Sequence, residues 1–171
     1  SNLSSTRALR DITEARSLRY EAAAVGEVNV VVKMKEIGAV IGGEGNGGII
    51  YPELHYGRDS LVGIALFLSH LAHKNTSMTT LRASYPNYVI SKNKIDLAPT
   101  TNVDDILVQM AKKYAANEVD TTDGVKIYIE KEWVHLRKSN TEPIIRIYAE
   151  SASEEKATDL ALRIIEEIKA F

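Results

Sequence analysis

The residues best suited to chemistry lie near the end of the chain, in Leu136-Arg137-Lys138-Ser139-Asn140-Thr141-Glu142-Pro143-Ile144-Ile145-Arg146. Two arginines flank a run of hydroxyl and amide side chains, and a proline fixes the exit into an apolar stretch. A single carboxylate could not use so many donors. A phosphate dianion could, because it offers three acceptor oxygens and a charge that suits forked guanidinium groups. The segment reads as a phosphate clamp. A second loop, Gly42-Gly43-Glu44-Gly45-Asn46-Gly47-Gly48, offers the opposite chemistry. One carboxylate and one amide set among glycines suit the neutral hydroxyls of a sugar.

The remaining polar candidates have plainer readings. Arg58-Asp59 stands just before an apolar helix and reads as an N-terminal charge pair. His70 and His73 share one helix face at i, i+3, but no carboxylate pattern supports a metal there. A solvated helix end accounts for them. His55 follows Pro52 in a loop and is read as a structural hydrogen-bonding group. His135 alternates with Trp133 and Arg137 on a strand and receives no role. Trp133 is read as a core or domain-contact residue rather than a stacking platform for sugar.

The elements that must position these loops follow two rhythms. Ser5 or Thr6 caps a short helix carrying Leu9 and Ile12, and an extended stretch runs from Arg19 to Ala24. Val28, Val31 and Val32 repeat at helical spacing, with Gly38 at the C-cap. Ala39-Val40-Ile41 reads as a short buried strand opening into the glycine loop, and Ile49-Ile50-Tyr51 leaves it. Apolar helices are expected from about Leu61 to Ala72 and from Ser77 to Tyr85. Strand–helix alternation of this kind signals an α/β layer arrangement. Pro86 ends it, which places a boundary between residues 1–86 and 87–171.

The second part begins extended, from Tyr88 to Ala98. Asn102 caps a helix with Ile106, Leu107, Met110, Ala111 and Tyr114 on one face. Thr122-Asp123-Gly124 is a turn, followed by strands through Val125, Ile127 and Ile129, through Trp133 and Leu136, and from Ile144 to Ala149. Ser153 caps a last amphipathic helix. Strands grouped between two helices describe a small α+β domain, with an antiparallel sheet and helices on one face.

Composition narrows the functions. The 171 residues carry a net charge of −2, which argues against a nucleic-acid partner. With no cysteine, thiol nucleophiles, disulfides and cysteine metal sites are excluded. The longest apolar run, Leu61 to Leu68, is too short to span a bilayer, so no membrane partner is expected. No leader is recognisable. The start at Ser1-Asn2 without a methionine suggests a piece of a longer protein.

Gly43-Glu44-Gly45-Asn46-Gly47-Gly48, then Tyr56-Gly57-Arg58-Asp59 with its helix, then Arg137-Lys138-Ser139-Asn140-Thr141-Glu142-Pro143 stand in one order and at related spacing. This pattern resembles the α-D-phosphohexomutases, which include phosphoglucomutase, phosphomannomutase and phosphoglucosamine mutase. In that family four domains surround one site, carrying in turn a phosphoserine, a magnesium loop, a sugar-binding loop and a phosphate-binding loop. The resemblance covers the latter part of domain three and all of domain four. It implies a cytoplasmic isomerase that interconverts hexose 1-phosphate and hexose 6-phosphate through a bisphosphate. Mg2+ would be held by the parent enzyme, and this chain would bind none alone. The partners it implies are a hexose phosphate and the missing N-terminal domains.

The resemblance also implies residue roles. The sugar must bind in two orientations that exchange C1 and C6, and hence roughly O3 and O4. Glu44 matches the family's sugar-binding glutamate, and one carboxylate reaching both hydroxyls serves either pose. Asn46 stands where many relatives have serine, and Gly48 where many have histidine, so no role of that histidine carries over. Arg137, Ser139, Asn140, Thr141 and Arg146 would anchor the phosphate not undergoing transfer. No catalytic residue and no metal ligand is expected in this chain. The alternatives are a stand-alone sugar-phosphate-binding module and a structural domain with accidental loops.

Overall fold

A computed structural model describes residues 1–98, 101–139 and 143–171. The chain divides into two compact units, Ser1–Asn87 and Tyr88–Phe171.

The first unit is the α/β part. Helix α1 (Arg7–Glu14) is capped by Thr6, whose hydroxyl accepts from Ala8 N. Helix α2 (Glu27–Ile37) ends at Gly38, which takes the left-handed conformation at φ 64°. A two-stranded hairpin follows, β1 (Gly42–Gly43) and β2 (Ile49–Ile50). Helix α3 (Ser60–Lys74) starts on an Asp59 cap, and helix α4 (Met78–Ala83) on a Ser77 cap. The extended stretch expected from Arg19 contributes a single parallel bridge, Asn2 to Ala23.

Two expectations for this unit need correcting. The helical spacing of α2 is right, but of its valines only Val30 is buried, with Val31 packed partly against the core. Val30 and Met34 are buried, while Val28 and Val32 face outward. Valines all round the helix leave its rotation unspecified by sequence. A Cβ on Gly42 would lie 2.2 Å from Met34 Sδ, so a larger residue there would displace the Met34 side chain. Nor do Ala39, Val40 and Ile41 form a buried strand. Val40 is 78% exposed, and the strand begins only at Gly42. Helix α3 likewise buries none of its residues. The small core of Ala23, Val30, Met34 and Ile50 is correspondingly modest.

The second unit is an α+β domain with a five-stranded antiparallel sheet. Its strands are β3 (Val89–Asp96), β4 (Glu118–Asp120), β5 (Val125–Ile129), β6 (Glu132–Lys138) and β7 (Ile144–Ser151), in the order β3-β7-β6-β5-β4. Strand β4 has no counterpart in the sequence reading, because three residues are too few to show alternation. Helix α5 (Val103–Lys113) and helix α6 (Glu154–Lys169) are capped by Asn102 and Ser153. Register fixes the faces, because directly paired residues project from the same side of a sheet. Ile127, Val134 and Ala149 pair across three strands and join the core with the buried sides of both helices. Both helices therefore cover one face.

The opposite face is polar, and much of it is buried all the same. Trp133, His135, Lys126 and Glu150 are each under 5% exposed. Trp133 Nε1 donates to Glu150 Oε1 at 2.6 Å, and Lys126 Nζ stands 3.9 Å from the Trp133 ring centre. No helix among the described residues is long and apolar enough to cross a membrane.

Candidate functional site

The glycine loop is shaped by how closely its two strands approach. A Cβ on Gly43 would lie 2.2 Å from Gly48 O, so any larger residue would force the hairpin apart. Glu44 N donates to Gly48 O at 3.0 Å, Gly47 N donates to Glu44 O at 3.1 Å, and Gly47 has φ 91°. The loop therefore has a fixed backbone rather than being an open tether. Glu44 and Asn46, both read as sugar-binding, stand two residues apart on it.

Their side chains differ in surroundings. Glu44 has only 7% of its side chain exposed. Its Oε1 accepts from Asn2 Nδ2 at 2.9 Å and from Gly26 N at 3.2 Å. Its Oε2 lies 3.9 Å from Arg58 Nη1. Asn46 is exposed, and its Oδ1 accepts from Gly48 N at 3.0 Å. Sequence reasoning missed Asn2, Gly26 and Glu27 as supports. The first two are 42 and 18 residues from Glu44, and no local pattern marks them.

Asp59 is a helix cap, accepting from Val62 N at 3.0 Å. That backbone hydrogen bond holds its carboxyl below the usual range, with the His55 contact adding to it. His55 Nδ1 accepts from Gly57 N at 3.0 Å, so Nε2 carries the proton that meets Asp59 Oδ2 at 3.2 Å. His70 Nε2 contacts Tyr85 OH at 3.3 Å. Among the described residues no group of three or more histidine or carboxylate side chains is placed to hold a metal ion.

The phosphate-clamp segment joins β6 to β7. Asn140 and Thr141 lie outside the described residues. Around them the loop is closed by Ser139 N donating to Ile144 O at 3.1 Å and by Leu97 N donating to Pro143 O at 3.0 Å. Arg137 and Arg146 are direct partners on β6 and β7, and Arg146 is the direct partner of Lys94 on β3. Three cations thus occupy one row on one face, with neighbouring Cβ atoms about 5 Å apart. Arg146 is exposed, and Arg137 has 25% of its side chain exposed.

Arg137 is not a bare charge. Its Nε lies 2.8 Å from Asp123 Oδ2, a charge contact without hydrogen-bond alignment. The turn carrying Asp123 is pressed against β6, since a Cβ on Gly124 would meet Leu136 O at 2.1 Å. Gly124 also has φ 72°, a second reason for glycine there. His135 Nε2 donates to Asp123 O at 2.7 Å, and burial pushes its imidazole down to about 4. Lys138 projects from the other face and pairs with Asp104 at 2.8 Å. Sequence reasoning missed Lys94, which lies over 40 residues from Arg137 and enters the row only through sheet register.

Comparison with known proteins places both units in one family. Residues 1–88 match the family described as phosphoglucomutase/phosphomannomutase, alpha/beta/alpha domain III, and residues 97–167 match the C-terminal domain of the same family. A phosphoglucosamine/phosphogalactosamine mutase of Sulfurisphaera tokodaii is 36% identical over 92% of this chain and 35% of its own length. A phosphoglucomutase/phosphomannomutase of Thermococcus kodakarensis is 33% identical over 93% of this chain and 36% of its own. The chain thus spans about a third of the length of the curated relatives it matches. A solved family protein from Burkholderia thailandensis superposes with a TM-score of 0.75 at 26% identity, covering 96% of this chain and 36% of that one. On these matches the chain belongs to the phosphoglucomutase/phosphomannomutase family, the α-D-phosphohexomutases.

Proposed function

We propose that this chain is the C-terminal part of a phosphohexomutase that interconverts hexose 1-phosphate and hexose 6-phosphate through a phosphoserine and a bisphosphate intermediate. In this reading Glu44 and Asn46 hold sugar hydroxyls. Arg137, Ser139, Asn140, Thr141 and Arg146 hold the phosphate that is not being transferred. The phosphoserine and the Mg2+ ligands belong to loops outside this chain. The names of its relatives point to hexose and hexosamine phosphates as the substrate class.

The observation that carries the reading is the row Arg137, Arg146 and Lys94. Like charges placed directly opposite in a sheet destabilise it. Such a row makes physical sense where an anion bridges it, and a phosphate dianion matches two guanidinium forks. Among the described residues Asp123 stands against Arg137, and Asp96 lies 3.6 Å from Lys94 on the same strand. Removing a forked, charge-assisted contact costs on the order of 2 kcal/mol of binding.

Two measurements test this. Inorganic phosphate added to the 171-residue chain should shift amide signals around Arg137 and Arg146, at millimolar affinity or weaker, roughly −4 kcal/mol or less. A coupled assay on the same chain should detect no mutase turnover at any magnesium concentration, because nothing in it supplies the phosphoserine. Steady conversion surviving removal of host enzyme would overturn the division of labour. Phosphate that perturbs no amide at the row would overturn the clamp.

A further inference from the structure

Glycine at position 48 leaves space that another side chain uses. A Cβ on Gly48 would lie 2.6 Å from Cδ and 3.2 Å from Cγ of Arg58. The aliphatic stem of Arg58 therefore lies across the end of the glycine loop. Its guanidinium is fixed by Glu27, with Nε 2.7 Å from Glu27 Oε2, while the backbone N of Arg58 donates to Glu27 Oε1 at 3.1 Å. From that anchored position Nη1 reaches to 3.9 Å from Glu44 Oε2.

The two oxygens of Glu44 thereby acquire different tasks. Oε1 is taken by Asn2 and Gly26. Oε2 faces a fixed positive charge at a distance too long for a hydrogen bond, so its lone pairs stay available to a donor. Glu27, Arg58 and Glu44 together carry one net negative charge. Such a group welcomes a neutral hydroxyl and repels a second phosphate.

We propose that Arg58 is the positioning residue of Glu44, holding Oε2 for a sugar hydroxyl, and that position 48 is glycine because the Arg58 stem needs its space. This rests on the reading of Glu44 as the acceptor for sugar hydroxyls. It predicts an unusual equivalence. Gly48 has no left-handed φ, so alanine there is acceptable to the backbone. Gly48→Ala should therefore act through Arg58, by pushing the stem and its guanidinium away from Glu44.

The Glu44 carboxyl carbon-13 signal is first recorded at pH 7 in the 171-residue chain. Both Arg58→Ala and Gly48→Ala should move that signal in the same direction, because each takes the guanidinium away from Oε2. An unchanged signal in both variants would overturn the assignment. In the full-length enzyme, each variant should raise KM for hexose phosphate about tenfold and change kcat by less than about twofold, the pattern of lost uniform binding. The double variant should be no worse than either single one, because both remove one contact. Effects that multiply to about a hundredfold would mean independent roles and would sink the proposal. A wild-type enzyme without mutase turnover would sink the family function instead, and the carboxyl signal would still judge Arg58.

Discussion

The glycine loop and the phosphate-clamp segment solve opposite electrostatic problems. At the loop, one mostly buried carboxylate is met by an amide, a backbone N–H and a guanidinium before any ligand arrives. At the clamp, three cations stand side by side in one sheet row, and Asp123 and Asp96 offset only part of that charge. At the first site one carboxylate oxygen already has its donors and the other faces a guanidinium. The second gathers like charges, so an anion held there would relieve repulsion. This difference fits the proposed reading, in which the loop meets neutral hydroxyls and the clamp meets an anion.

The largest expected effect concerns the scaffold behind the clamp. Burial holds the His135 imidazole at about 4 in the folded protein, against an ordinary 6.5. Its folded value is depressed, so the unfolded chain binds the extra proton between those limits. Stability should therefore be intact above pH 6.5 and fall as pH drops toward 4, by about 3 kcal/mol in all. Chemical denaturation of the C-terminal unit at pH 7 and pH 4.5 measures this. His135→Gln should flatten the dependence, since glutamine keeps a donor for Asp123 O without titrating. A wild-type slope unaltered in that variant would assign the acid sensitivity elsewhere.

Next in size is the clamp itself. Arg137→Ala in the full-length enzyme should lower kcat/KM on the order of 30-fold, about 2 kcal/mol, and do so alike for every hexose phosphate. A preserved kcat/KM would remove Arg137 from the substrate. Smaller again is Glu44→Gln, which keeps the shape and Oε1 as an acceptor but loses the charge that strengthens hydroxyl contacts. Sugar-phosphate turnover should fall roughly fivefold, about 1 kcal/mol, with inorganic phosphate binding unchanged. If both fell together, Glu44 would be a fold residue tied to Asn2 and Gly26, and the contrast between the two sites would collapse.

What the sequence disclosed follows the range of the interactions involved. Caps at Thr6, Asp59, Asn102 and Ser153 and the left-handed Gly38 were legible because each is decided within four residues. So were the main strands of the second unit, whose alternating apolar residues are buried within that unit. Val28, Val32, Val40 and Ile41 were misjudged because apolar character promises burial but does not name a partner, and within the first unit they face outward. At the sites, residue types suggested a chemistry for Glu44 and Arg137. Their partners Asn2, Gly26, Asp123 and Lys94 come from other elements, and only register and packing bring them in.

The smallest effect is the most discriminating between the two sites. Arg146 is the middle cation of its row, with Arg137 on one side and Lys94 on the other. If the empty clamp is repulsive, Arg146→Gln should stabilise the C-terminal unit in phosphate-free buffer by a few tenths of a kcal/mol. For a unit of this size that is roughly 2 °C in Tm at low ionic strength. The gain should vanish in about 1 M salt, where charges are screened beyond about 3 Å. Adding phosphate should then raise the wild-type Tm more than that of the variant, because only the wild type has its full charge to bridge. No equivalent gain is expected from neutralising Arg58 at the glycine loop, where the cation is held between two carboxylates. Destabilisation by Arg146→Gln at low salt would show that Arg146 is already compensated in the empty state. The electrostatic contrast between loop and clamp would then fail.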